Sequence, residues 1–338
     1  KNILENYGSV KIGFDPKLFT IDTLKLYFGE AYNLLPINFD LFKSNIETIN
    51  KNNLVYSIDN SITGESIDSK IKRLKKIIKI IGIDNLFISS NENVCWLLNI
   101  RGKDMPNSPL ANFQAIFTIK KEIFLFGNIK KLKNVKKESF NEKIKFFEKN
   151  KFWKILSSLK GNSFCIDNKT CSVLNESLIN SKFIIKKRID PIYSLKCIKN
   201  KIEIKNMIDV HIKDGVAVTK FLYWIKNSNI RKLDEIKVEK KLESFRKQSK
   251  KYLFPSFSTI AGSGPNGAII HYRSNVKTNR KLNKDQLLLV DSGGQYKWGT
   301  TDITRTICFN NPDKKTKELY TRVLKGHIAV AVSKIDKL

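Results

Sequence analysis

The order of its apolar periodicities constrains this chain more than any single motif. Between residues 64 and 192, strand-like runs alternate with helical ones. "ESIDSKIKRLKKIIKIIG" repeats apolar residues at helical steps (Ile67, Ile71, Leu74, Ile78, Ile81), with Ser66 placed as N-cap and Gly82 as stop. Its lysine face reads as solvated surface. "NLFISS" (85–90) predicts a strand, and "FQAIFTIKKEIFLFGN" (113–128) a hairpin turning at Lys120-Lys121. "NEKIKFFEKNKFWKILSSLKG" (141–161) predicts an amphipathic helix, and "SFCID" and "KFIIKKR" two further strands. Strands alternating with helices predict an α/β domain over about 64–192.

The pattern then changes. After a connector, "DPIYSLKCIKN" (190–200), a long helix is expected at 201–226 and a Lys/Glu-rich one near 233–250. Strands follow in "FSTIAGSG", "GAIIHYR", "LLLVDSG" and "TDITRTICF", and a last helix at 314–335. Two helices followed by antiparallel strands predict an α+β layer, here over 196–338. Residues 1–60, with a strand in "SVKIGFDP" and a helix in "TIDTLKLYFGEA", read as the end of a preceding domain. A loop is expected near Asn60–Gly64. The chain begins at Lys1 rather than Met and stops abruptly at "VSKIDKL", so a fragment cut at both ends is expected.

A net charge of +30 invites a nucleic-acid reading. Its composition argues otherwise. Of 62 basic residues only nine are arginine, whose planar fork reads bases and phosphates; the lysines are dispersed among Ile and Asn. An AT-rich codon bias accounts for that mixture, so no specific nucleic-acid partner is expected. No apolar run approaches the roughly 18–20 residues of a membrane helix. The five cysteines (Cys95, Cys165, Cys171, Cys197, Cys308) contain no CxxC pair and suit buried free thiols in a reducing cytoplasm.

Few residues are candidates for chemistry. His211 and His327 fall in helical patterns and read as structural. His271 falls in "GAIIHYR", expected to be a strand, just after the glycine-rich "GSGPNG". The remaining feature is "LLLVDSGGQYKWGTTDITRT" (287–306), two strands expected at Leu287–Asp291 and Thr300–Phe309, each with one aspartate. A turn centred between Tyr296 and Lys297 would set Asp291 directly opposite Asp302, a destabilising pairing of like charges. Spacing leaves two arrangements open. Either the strands are offset and one carboxylate points to solvent, or the pair shares a cation that offsets their repulsion. Oxygen donors suit Mn²⁺, Mg²⁺ or Ca²⁺, and a hydrolase site also takes Zn²⁺ or Co²⁺.

These segments carry a resemblance. "FSTIAGSGPNGAIIHYR", "TNRKL", "LLLVDSGGQYKWGTTDITRT" and "VLKGHIAVA" resemble the cytosolic Xaa-Pro aminopeptidases (aminopeptidase P), pita-bread metallopeptidases related to prolidase. "WLLNIRGKDMPNSP" and "IEIKNMIDVHIKDGVAVTKFLYWI" resemble that family's second domain and the first catalytic-domain helix. The likeness runs from about residue 8 to 335 and favours the three-domain type. It implies a first-domain remnant at 1–60, a creatinase/prolidase-like α/β domain at 64–192, and a truncated pita-bread catalytic domain at 196–338. It also implies hydrolysis, by metal-bound hydroxide, of the bond between an N-terminal residue and a following proline. Asp291 and Asp302 would be the first two ligands of a dinuclear site, usually Mn²⁺, and His271 the catalytic histidine that meets substrate. Family members add a histidine and two glutamates from segments after the point where this chain ends, so the chain alone is expected to be inactive. The resemblance further implies a homodimer and a cytoplasmic location for the full-length protein. Prolidase, or a non-catalytic pita-bread binding protein, are the alternative readings.

Overall fold

The computed structural model describes residues 10–29, 32–37, 54–135, 140 and 142–334. Calls on the sequence at 1–9, 30–31, 38–53, 136–139, 141 and 335–338 therefore lie outside the described residues, including parts of the expected first-domain remnant. The chain divides into two compact units, Lys1–Met207 and Ile208–Leu338, and the division falls inside the Lys201–Lys226 helix.

The first unit is built on a six-stranded mixed sheet. Its strand order is Ile184–Lys187, Ser163–Ile166, Asn85–Ile88, Gln114–Thr118, Ile123–Phe126, Ile144–Phe147. The first three strands run parallel, the next two antiparallel to their neighbours, and the last parallel to Ile123–Phe126. The central strands are apolar on both faces because both faces are covered. Strand alternation sends Leu86, Ile88, Ala115 and Phe117 into one core with Ile71, Leu74 and Ile78 of the Ile67–Ile80 helix. It sends Phe87, Ile116 and Phe126 into the other, with Phe152, Leu156 and Ile179. Ser66 caps the helix by accepting from the Ser69 amide, and Gly82 takes φ +65° beyond its end.

Five expectations need correction here. Residues 144–147 form an edge strand, and only Phe152–Ser158 is α-helical. Pairing with Ile123–Phe126 outweighs the helical spacing of "KIKFFEKNKFWKIL". Asn60–Thr63 is a short helix rather than a loop, and Pro191–Cys197 is a helix within the expected connector. The lysine face is not wholly solvated. Lys70 is buried, donates to the Trp96 carbonyl (2.8 Å) and Asn99 Oδ1 (2.6 Å), and lies 4.1 Å from the Trp96 ring centroid. Burial pulls its pKa down to about 8. Cys95, Cys165 and Cys171 are buried, but Cys197 is exposed and Cys308 only partly covered.

The second unit is the expected α+β layer. The Lys201–Lys226 and Glu235–Arg246 helices lie against one face of antiparallel strands Ile260–Ser263, Leu288–Ser292 and Ile303–Ile307. Val218, Phe221, Ile225, Val238 and Leu242 meet Ala261, Leu288, Val290 and Ile307 there. A second small sheet joins Tyr252–Pro255, Gly294–Tyr296 and Gly299–Thr300. The closing helix, Lys314–Val332, is capped by Asp313 but has no buried residue among those described.

Candidate functional site

The two aspartates lie on one hairpin, and its register differs from the expected one. Asp291 pairs with Thr304, Ser292 with Ile303, and Tyr296 with Gly299. The turn is therefore Lys297-Trp298, one residue on from the expected centre, and the partner of Asp291 lies two residues from Asp302. A slip of two residues preserves the face, because strand side chains alternate with period two. Asp302 itself lies just before the Ile303–Ile307 strand, next to Ile303, the partner of Ser292. The observed strands are Leu288–Ser292 and Ile303–Ile307, with Gly299–Thr300 separate.

The local sequence explains this placement. Leu288, Val290 and Ser292 are buried toward the helices, which leaves Leu289 and Asp291 on the opposite face. The Thr304 hydroxyl donates to Asp291 Oδ1 at 2.7 Å and orients that carboxylate. Asp302 is exposed, whereas its neighbour Thr301 is buried. Gly293 separates the two sheets: a Cβ there would lie 2.0 Å from the Thr301 carbonyl oxygen and 2.1 Å from Ser256 Oγ. Only glycine allows this approach.

A buried ion pair pins the hairpin from behind. Arg246 donates Nε–H to Asp214 Oδ1 (2.7 Å) and Nη2–H to Oδ2 (3.0 Å), and both side chains are about fully buried. The Tyr296 hydroxyl adds a donor to Oδ1 (2.7 Å) and Thr301 Oγ1 one to Oδ2 (2.9 Å). Burial would raise the Asp214 pKa, but Arg246 and the two hydroxyls outweigh it and hold the carboxyl below its ordinary range. Tyr296, buried beside that carboxylate, is pushed up. Thr301 also receives the Gly294 amide on its hydroxyl at 3.0 Å. The residue before Asp302 is thereby fixed to both helices.

His271 is not on a strand. The strand ends at Ser263, a 3₁₀ turn covers Gly264–Ala268, and His271 occupies an exposed turn at φ +54°. A non-glycine residue there is held by its surroundings, and such strain clusters at functional sites. The surroundings are explicit. Glu235, fully buried, accepts from the Ser263 amide (2.7 Å), the Arg280 amide (3.0 Å), Asn266 Nδ2 (2.9 Å) and the Tyr272 hydroxyl (2.8 Å). Gly262 packs on Gly267, where a Cβ would come within 2.7 Å of the Gly267 nitrogen. The glycine-rich loop and the His271 turn therefore close on one carboxylate. His211 and His327 lie on helices and are exposed.

Glu235, Asp214, Arg246 and Thr301 were invisible in the sequence. The first three sit in helices whose charge reads as solvent-facing, and a single sequence does not distinguish a buried charge from an exposed one. Asn266 and Tyr272 were within reach, since both flank His271.

Hard divalent cations take oxygen donors, and two same-face carboxylates are the right donor chemistry. They are two of the six or so donors such an ion usually takes. Among the described residues no group of three or more His, Cys, Asp or Glu side chains is placed to hold a metal ion.

Comparison with known proteins matches this architecture. Residues 48–203 match the creatinase/prolidase N-terminal domain, and residues 205–335 match metallopeptidase family M24. Together the two matches span most of the chain. It is 31% identical to Xaa-Pro aminopeptidase 1 of Dictyostelium discoideum, covering 96% of the chain and 54% of the relative. The X-prolyl aminopeptidase of Caenorhabditis elegans, described as a cytosolic enzyme with a di-nuclear active site, superposes with TM-score 0.84 at 27% identity. That likeness covers 96% of this chain and 56% of the nematode enzyme. Prolidase from Pyrococcus horikoshii reaches only 0.59 at 25% identity, over 76% of the chain and 69% of the enzyme. The chain spans about half the length of the curated relatives it matches. None of its described helices is long and apolar enough to cross a membrane.

Proposed function

We propose that this chain serves a metal-dependent Xaa-Pro aminopeptidase, a cytoplasmic enzyme that hydrolyses the bond between any N-terminal residue and a following proline. The observation that carries this reading is the fold likeness to the nematode enzyme over 96% of the chain, against 76% for prolidase. In this reading the first domain ends near residue 60, the creatinase-like domain covers 64–192, and the pita-bread portion starts at 196. The whole protein acts as a homodimer on peptides with proline second.

Asp291 and Asp302 hold two divalent ions, Mn²⁺ in this reading, on the open face of the hairpin. Such ions polarise the scissile carbonyl and activate water. The protein's own part is placement. Thr304 orients Asp291, and the Asp214–Arg246 pair fixes Thr301 and hence Asp302. His271, on its turn, contacts the substrate and handles its proton or carbonyl.

Calorimetric titration of Mn²⁺ into this chain tests the ligand assignment. Two carboxylates leave a cation largely hydrated, so weak binding is expected, abolished in Asp291→Asn and Asp302→Asn. Binding that survives both substitutions would remove these residues from the site. The chain by itself should not turn over an Xaa-Pro peptide; brisk turnover would show that its described donors suffice.

A further inference from the structure

The second unit contains a cationic concavity that the hairpin chemistry does not use. It encloses about 460 Å³ and is lined by Ile230–Arg231 on one wall and Arg280–Gln286 on the other. The walls are stitched together by backbone bonds. The Glu235 amide donates to the Arg280 carbonyl (3.2 Å), and the Leu282 amide to the Leu233 carbonyl (3.0 Å). Asp234 bridges Lys281, and the buried Leu282 anchors the second wall. Main-chain bonds thus hold the Arg280–Leu282 stretch against the segment that follows Ile230–Arg231.

Its charge is not merely that of a lysine-rich protein. Of the nine arginines, six commit their guanidinium to partners within the chain. Arg73 and Arg322 pair with glutamates, Arg246 with Asp214, Arg101 and Arg305 with carbonyls, and Arg273 with Ser258 Oγ. Among the described residues Arg188, Arg231 and Arg280 have no such guanidinium bond, and two of these three line this one concavity. Lys281 and Lys284 add to them. The one acid is Asp285, and Asn310 Nδ2 already occupies one of its oxygens at 2.8 Å.

We propose that this concavity binds a compact oligophosphate. Two guanidinium groups and two ammonium groups line it, and that donor set matches the several oxygens of linked phosphates. The volume suits a small molecule, within the roughly 300–1,000 Å³ of ligand sites. No aromatic side chain lines it, so it lacks the stacking platform with which proteins hold bases. The phosphate chain, rather than a nucleobase, is the recognised group. This inference is independent of the aminopeptidase reading.

The test is calorimetric titration of inorganic tripolyphosphate, and separately of ATP, into the full chain at about 0.15 M salt, where long-range fields are screened. Saturable one-to-one binding of tripolyphosphate is expected. Arg231→Ala and Arg280→Ala should each weaken it by roughly tenfold or more, the effect of losing one charge-assisted contact. Arg188→Ala, the remaining free arginine in the other unit, should leave it unchanged. ATP should bind no tighter than tripolyphosphate. Absence of saturable binding, or equal loss in all three variants, would reduce the effect to net charge and overturn the site. Markedly tighter ATP binding would overturn recognition of the phosphate chain alone.

Discussion

Single positions decide the geometry of the acid pair. Gly293→Ala would drive a methyl into the Thr301 carbonyl. The sheets must then part, and a loss of about 2–4 kcal/mol is expected, the range of strongly strained substitutions; the shift in denaturant midpoint measures it. His271 offers a cleaner separation of strain from chemistry. Asn tolerates the left-handed turn, so His271→Asn should melt like the parent, whereas His271→Val should lose about 1–2 kcal/mol. Equal melting of the two variants would show that the turn relaxes freely. Lys70 illustrates the opposite case, a charge hidden at a helical position that its sequence neighbours present as solvent-facing.

At the level of elements, the hairpin is held by helices that contribute no residue to its open face. Removing one member of a buried ion pair costs about 3–5 kcal/mol. Arg246→Met should fall in that range by chemical denaturation, with Tyr296 and Thr301 losing a fixed acceptor. The acid dependence follows with a definite sign. Asp214 has a folded pKa below its ordinary value of 3.8. Its stabilisation is therefore complete above that value and is lost as pH falls through the lower folded one. Arg246→Met should flatten the stability profile below about pH 4; an unchanged acid limb would mean that other carboxylates dominate. The long helix at Lys201–Lys226 and the strands Ile260–Ser263, Leu288–Ser292 and Ile303–Ile307 were legible because their periodicity and their burial agree, whereas Tyr252–Pro255 was not expected as a strand. The 141–161 segment was not. Ile144–Phe147 has both helical spacing and strand-forming residues, and only its partner at Ile123–Phe126 settles between them.

For the molecule as a whole, support is uneven. The strands Leu288–Ser292 and Ile260–Ser263 contribute one face to a core, whereas the Lys314–Val332 helix has no buried residue among those described, with Leu319, Val323 and Ile328 all half exposed or more. An isolated helix of that length is marginal in water, since packing supplies most helical stability. Hydrogen exchange should therefore show little protection over 314–332 and strong protection over 288–292. Strong protection of the last helix would reveal a packing partner. The same core and the same exposed helix belong to a chain of net charge +30, whose dispersed lysines report composition, while two of the three arginines without a guanidinium bond among the described residues line one concavity.

The sequence by itself determined most of the long helices and central strands, the two architectural classes, and the candidacy of Asp291, Asp302 and His271. Those follow from local periodicity and from the rarity of the residue types concerned. Tertiary structure alone decided the register. A displacement of two residues leaves the alternation of apolar and polar positions unchanged, so no local pattern distinguishes a direct acid pair from an offset one. Steric exclusion at Gly293 and the anchoring of Thr301 to Asp214 choose between them. The same holds for Glu235 and Arg246: a charged residue is exposed by default, and only long-range contacts supply the partners that allow it to be buried.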